Sequence, residues 1–161
     1  MENEVTHDEP SRTKKPAGVN LSSLKVDAKA QEEGEWVDLP TLGEGVAVHT
    51  RSLHCRSYRR MLSRLSRKQT QRVIRGGDVD PVQNDIITAR CFAETLIVQD
   101  DSGIAWRGLN DEAGNPIPYD KELVFEWLTD PSYRKVADAF AWAASEVGDA
   151  EKEWERELGE D

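Results

Sequence analysis

The sequence predicts a mostly α fold with a small N-terminal β-hairpin (α+β), a helical domain preceded by a disordered tail. Three observations predict it. Apolar residues recur at helical spacing over residues 52–75, 80–99 and 130–147. Two short apolar and β-branched runs, Trp36-Val37-Asp38-Leu39 and Val46-Ala47-Val48-His49-Thr50, flank a loop containing Gly43 and Gly45, as in a hairpin. Residues 1–33 combine Pro10, Pro16, Gly18 and scattered polar residues with only Val19, Leu21, Leu24 and Val26 placed to pack, too few for a core.

The chain divides accordingly. Residues 1–33 form the tail, with a short helix or turn around 21–29; residues 34–148 form the helical domain, with the hairpin at 35–50; residues 149–161 form an acidic helix end or tail. Pro40 ends the first strand, since proline cannot donate to a ladder. In the first long helix Tyr58, Met61, Leu62 and Leu65 share a face, and Gly76-Gly77 stops it. The second helix starts with Asp80 as N-cap, Pro81 at N1 and Gln83 completing a capping box. Its predicted buried stripe is Val82, Ile86, Ala89, Ala93, Leu96 and Ile97. An extended segment over 104–109 and a turn cluster over 110–115 follow. Asp120 caps a short helix that turns Leu123, Val124, Trp127 and Leu128 inward. Asp130-Pro131 opens the last helix, whose stripe of Tyr133, Val136, Ala137, Phe140, Ala144 and Val147 continues past Gly148 through Trp154 and Leu158.

Composition narrows the function. The chain has 161 residues, 32% charged and 37% hydrophobic, which suits one modest core. No apolar run approaches the ~20 residues that span a bilayer. The acidic start has no apolar region after it, against a secretory signal. Two cysteines, Cys55 and Cys91, make no disulfide framework and read as structural thiols of a soluble intracellular protein. No triad, phosphate cradle or metal-ligand spacing is present: His49, His54 and Cys55 lack a CxxC or HxxxH frame, and the pairs Asp78/Asp80, Asp100/Asp101 and Asp111/Glu112 sit at helix ends or turns. The expectation is therefore a non-enzyme with no catalytic residue, cofactor or metal.

Charge is the informative feature. The net charge is −10, from 21 basic and 31 acidic residues. Residues 51–75 hold nine basic residues and no acid; without them the balance is 12 − 31 = −19. Arg56, Arg60, Arg64 and Arg67 lie opposite the apolar face of this helix. They are candidate partner-binding residues, with Trp142, which falls off the apolar stripe of the last helix and can anchor an interface. The arginines can meet nucleic-acid phosphates, with Tyr58 available for stacking, an acidic partner segment, or the acidic end of the same chain. The overall acidity favours intramolecular or partner-protein pairing over nucleic acid.

The order of these pieces resembles the tail assembly chaperones of long-tailed bacteriophages, related prophages and gene transfer agents. Gly34-Glu35-Trp36-Val37 with the strand Val46-Ala47-Val48 and Tyr58-Arg59 carries part of the likeness. The basic helix with its partner helix from Pro81 to Val98 carries more. The most telling stretch is Trp106-Arg107-Gly108-Leu109 followed by Asp111-Glu112-Ala113-Gly114-Asn115-Pro116-Ile117-Pro118-Tyr119. The resemblance covers about residues 34–147. It implies a mostly helical protein that binds the tape measure protein, keeps it soluble and helps recruit tail tube subunits. It also implies action in the host cytoplasm and absence from the mature virion. The alternative is a nucleic-acid-binding phage accessory or regulatory protein acting through the arginine-rich helix 51–75.

Overall fold

A computed structural model describes residues 17–149. A 3-10 turn at Leu21–Leu24 precedes α1 (Ala28–Glu33), β1 (Glu35–Asp38) and β2 (Ala47–Thr50). Helices α2 (Arg56–Ile74) and α3 (Pro81–Thr95) form a helical hairpin, followed by β3 (Trp106–Arg107), α4 (Lys121–Thr129) and α5 (Arg134–Glu146), the last entered through a 3-10 turn at Pro131–Tyr133. The fold is thus α+β, as the sequence predicts.

The strands make one antiparallel sheet in the order β1-β2-β3, with Val37 opposite Val48 and Val48 opposite Trp106. The hairpin is where the sequence places it. The third strand is only two residues long, too short to show any alternation of its own. The sheet lies on α5, and α4 joins α5 to α3. Between these layers Leu39, Val48, Leu96, Ile97, Val124 and Phe140 are fully buried.

An aromatic cluster ties the layers together. Trp106 is buried, its ring centroid 5.2 Å from Trp127 and 5.7 Å from Tyr119. Its indole N–H donates to the Ile117 carbonyl at 2.7 Å, so the one polar atom of the ring is satisfied. Two residues on, Gly108 has φ +79°, and a Cβ there would lie 2.9 Å from the Gly45 carbonyl oxygen. Both the left-handed backbone and the close approach demand glycine. Gly108→Ala is expected to destabilise by about 2 kcal/mol, read as a lower urea midpoint; an unchanged midpoint would show that this corner relaxes freely.

Asp100 closes the turn before β3. Its carboxylate accepts from the Ser102 hydroxyl at 2.6 Å and from the backbone N–H of Ser102 and Ile104 at 2.9 and 3.1 Å. These bonds, the Ser102 hydroxyl foremost, pull its pKa down to about 2. The folded value lies below the unfolded one, so the turn's contribution is present above the ordinary carboxylate range and lost as pH falls through about 2. An NMR titration of the carboxyl carbon should find that low midpoint, and Ser102→Ala should raise it; an ordinary midpoint in the unaltered protein would refute the assignment.

Several sequence expectations are corrected. The end of the expected 1–33 tail is tied into the domain: the Asp27 N–H donates to the Gly148 carbonyl at 2.8 Å, and the Ser52 N–H to the Gln31 carbonyl at 3.1 Å. Helix α1 has no buried residue, so hydrogen bonds rather than apolar contact hold it, and an apolar pattern could not reveal it. Helix α5 does not run through Gly148: it ends at Glu146, where Val147 turns extended. Trp154, Leu158 and the rest of the acidic end, like residues 1–16, lie outside the described residues. In α3 the Asp80 cap forms, its carboxylate accepting from the Val82 and Gln83 N–H groups. Val82 and Ile86, however, are 67% and 40% exposed, and Ile87, Cys91 and Phe92 are buried instead.

Candidate functional site

Helix α2 is amphipathic in two unequal parts. Tyr58 is buried, and Met61, Leu62 and Leu65 pack against the core from its inner face. Beyond Ser66 and Gln69 the helix runs into solvent. Its start is capped from outside the helix: both oxygens of Glu32 accept from the Arg56 backbone N–H at 3.1 Å. A carboxylate at this end also suits the helix dipole.

The solvent-facing surface of α2 is cationic. Arg56, Arg60, Arg64 and Arg67 lie opposite the apolar face; Arg59, Lys68 and Arg72, with Arg75 just after the helix, lie off that face, and all eight are exposed. Among the described residues none of them makes an ion pair; the three ion pairs found there join Arg90 and Lys121 to Glu94 and Glu122. The predicted site residues Arg56, Arg60, Arg64 and Arg67 line one shallow concavity of about 550 Å³ with Arg59 and His54. The structure therefore brings these four together. Trp142 stands apart on α5, 40% exposed and beside Pro40 and Leu42 of the hairpin loop.

Tyr58 corrects a further expectation. It is only 7% exposed, so it offers no stacking face to a base. Burial pushes its phenol pKa up, with Cys91 and Cys55 adding to the rise. Burial likewise pushes the Cys91 thiol up, and the Arg64 guanidinium pulls it partly back. Both cysteines are free and enclosed, and for Cys91 the rise favours the inert thiol over the nucleophilic thiolate. His49 is occupied structurally, its Nδ1 2.9 Å from the Val98 carbonyl oxygen and its ring 5.4 Å from Trp36. Among the described residues no three His, Cys, Asp or Glu side chains are grouped to hold a metal. No described helix is long and apolar enough to cross a membrane.

A second concave surface escapes the sequence reading. Val82, Ile86, Phe92, Leu128, Ala137 and Ala141 line a groove of about 530 Å³ between α3 and the α4–α5 pair, with Asp85, Asp130 and Asp138 also on it. Helical spacing assigned Val82 and Ile86 to the core; the structure assigns them to this groove.

The described residues thus present two open helical surfaces, one cationic and one apolar. The model of the YdaY prophage protein family matches residues 53–160, two thirds of the chain. The chain belongs to that family and is phage- or prophage-derived. The match begins just before α2, so the whole cationic helix and the apolar groove fall inside it. No curated protein and no solved structure matches the chain.

Proposed function

We propose that this prophage protein is a tail assembly chaperone: it binds the tape measure protein, keeps it soluble and helps recruit tail tube subunits, in the host cytoplasm and outside the mature virion. The observation that carries the reading is helix α2, which with Arg75 carries eight exposed cations, none in an ion pair among the described residues. Such a face attracts anionic segments, while a net charge of −10 keeps the complex soluble. The family's prophage origin and the Trp106–Tyr119 run agree with the role. That run does structural work here, through the Trp106 N–H and the Gly108 turn, rather than supplying a reactive group.

Co-expression with the tape measure protein encoded beside it tests the proposal. The expected result is a soluble tape measure protein that co-purifies with this chain. If it stays insoluble and nothing co-purifies, the chaperone reading is wrong. The same cationic face also supports nucleic-acid binding as a second reading. That reading predicts DNA affinity falling steeply with salt, and it is weakened by the burial of Tyr58 and by the chain's acidity.

A further inference from the structure

The tip of the α2–α3 hairpin is apolar where a lone protein would be polar. Val73 and Ile74 at the end of α2 are 45% and 79% exposed, Val79 in the turn 51%, and Val82 and Ile86 at the start of α3 67% and 40%. Single exposed aliphatics are ordinary, but five within residues 73–86, at one end of one helical pair, are a patch.

The tip is a defined structure. Arg75 caps α2, the Gly76 N–H donates to the Val73 carbonyl at 3.0 Å and the Gly77 N–H to the Arg72 carbonyl at 2.9 Å. This is the paired hydrogen-bond pattern of a Schellman stop, with Gly76 at φ +85°. Asp80 then starts α3 by accepting from two backbone N–H groups. The aliphatic residues are thus held out on a folded turn.

Charge around the patch is segregated. The end of α2 carries Lys68, Arg72 and Arg75; the turn and the start of α3 carry Asp78, Asp80 and Asp85. Among the described residues none of these six makes an ion pair. A patch that is half cationic and half anionic complements itself under a two-fold rotation. The basic end of one copy then crosses the acidic start of the other, and the aliphatic residues meet at the axis. Contacts of this closed, self-complementary kind are the commonest in homo-oligomers.

We infer that the α2–α3 tip, through Ile74, Val82 and Ile86 and the crossed charges of Arg72 and Asp85, is a contact between two copies of this chain. The apolar groove along α3 is continuous with the tip through Val82 and Ile86 and gives the second copy's Ile74 a place to lodge. The inference does not depend on the chaperone reading, because it needs no phage partner.

Sedimentation equilibrium of the full chain tests it. The expected behaviour is a concentration-dependent monomer–dimer equilibrium. Ile74→Glu and Val82→Glu should each raise the dimer Kd by about tenfold or more, equivalent to ~1.4 kcal/mol. Both sites are exposed, so helical circular dichroism should stay at the level of the unaltered protein. Arg72→Glu alone and Asp85→Arg alone should weaken the dimer, and the double exchange should restore it. A chain that remains monomeric at every concentration overturns the inference. So does a dimer indifferent to Ile74→Glu, or one that the double exchange fails to restore.

Discussion

Trp106→Ala should destabilise the domain by about 3–5 kcal/mol, the range for removing a large buried aromatic ring. That is a large share of the ~5–15 kcal/mol that holds a typical domain together. The ring is 4% exposed and sits where three elements meet: it belongs to β3, touches Trp127 of α4 and reaches Tyr119 ahead of α4. Trp127 passes the contact on to Phe140 of α5, 6.2 Å away between centroids. Removing the Trp106 ring opens a cavity beneath a strand only two residues long. Trp106→Phe separates the two contributions. It keeps much of the apolar contact but leaves the Ile117 carbonyl without its donor, a loss of about 1–2 kcal/mol. Urea unfolding followed by circular dichroism measures both, as midpoint shifts at constant slope. An alanine variant within ~1 kcal/mol of the unaltered protein would mean that the cluster does not hold the layers together.

The same ring shows which parts of the fold a sequence reveals. Local chemistry was legible: Asp80-Pro81 places the start of α3, Gly76-Gly77 the end of α2, and Asp120 the start of α4. Each is set by neighbours within a few residues. The extended segment over 104–109 holds β3 as the sequence predicts, but its pairing with residues about sixty positions earlier is not encoded in any local pattern. The exposed Val82 and Ile86 have another cause. Helical spacing shows that a face is apolar, not how far along the helix the neighbouring element extends, and α4 and α5 leave the first turns of α3 uncovered. The reverse holds for α1: a short helix or turn was legible around 21–29, but its polar sequence hides the docking, which backbone hydrogen bonds secure. Of the candidate site, the spacing of Arg56, Arg60, Arg64 and Arg67 was enough to place them on one face. The spacing of Trp142 was enough to take it off the α5 stripe, but not to show the hairpin loop beside it.

Reversing the charges at Arg60, Arg64 and Arg67 separates binding from folding most sharply. The variant Arg60→Glu/Arg64→Glu/Arg67→Glu should fold as the unaltered protein does. All three side chains are exposed and make no ion pair among the described residues; the internal interaction that the exchange alters there is the pull of Arg64 on the buried Cys91 thiol. Glutamate matches arginine closely in helix propensity, and surface exchanges of this kind usually stay within ~0.5 kcal/mol. Binding should respond very differently. Each position loses an attraction to an anionic partner and gains a repulsion, about 1 kcal/mol or more apiece. Together they should weaken capture of the tape measure protein by at least ~100-fold. Arg→Lys at the same positions keeps the charge and gives up only the planar guanidinium fork, so it should bind nearly as well if charge is the attraction. If binding needs bidentate geometry, the lysine variant should fall with the glutamate one. Pull-down of the co-expressed partner, with thermal unfolding of each variant as the folding control, reads both effects. Full capture by a correctly folded glutamate variant would remove the α2 face from the site.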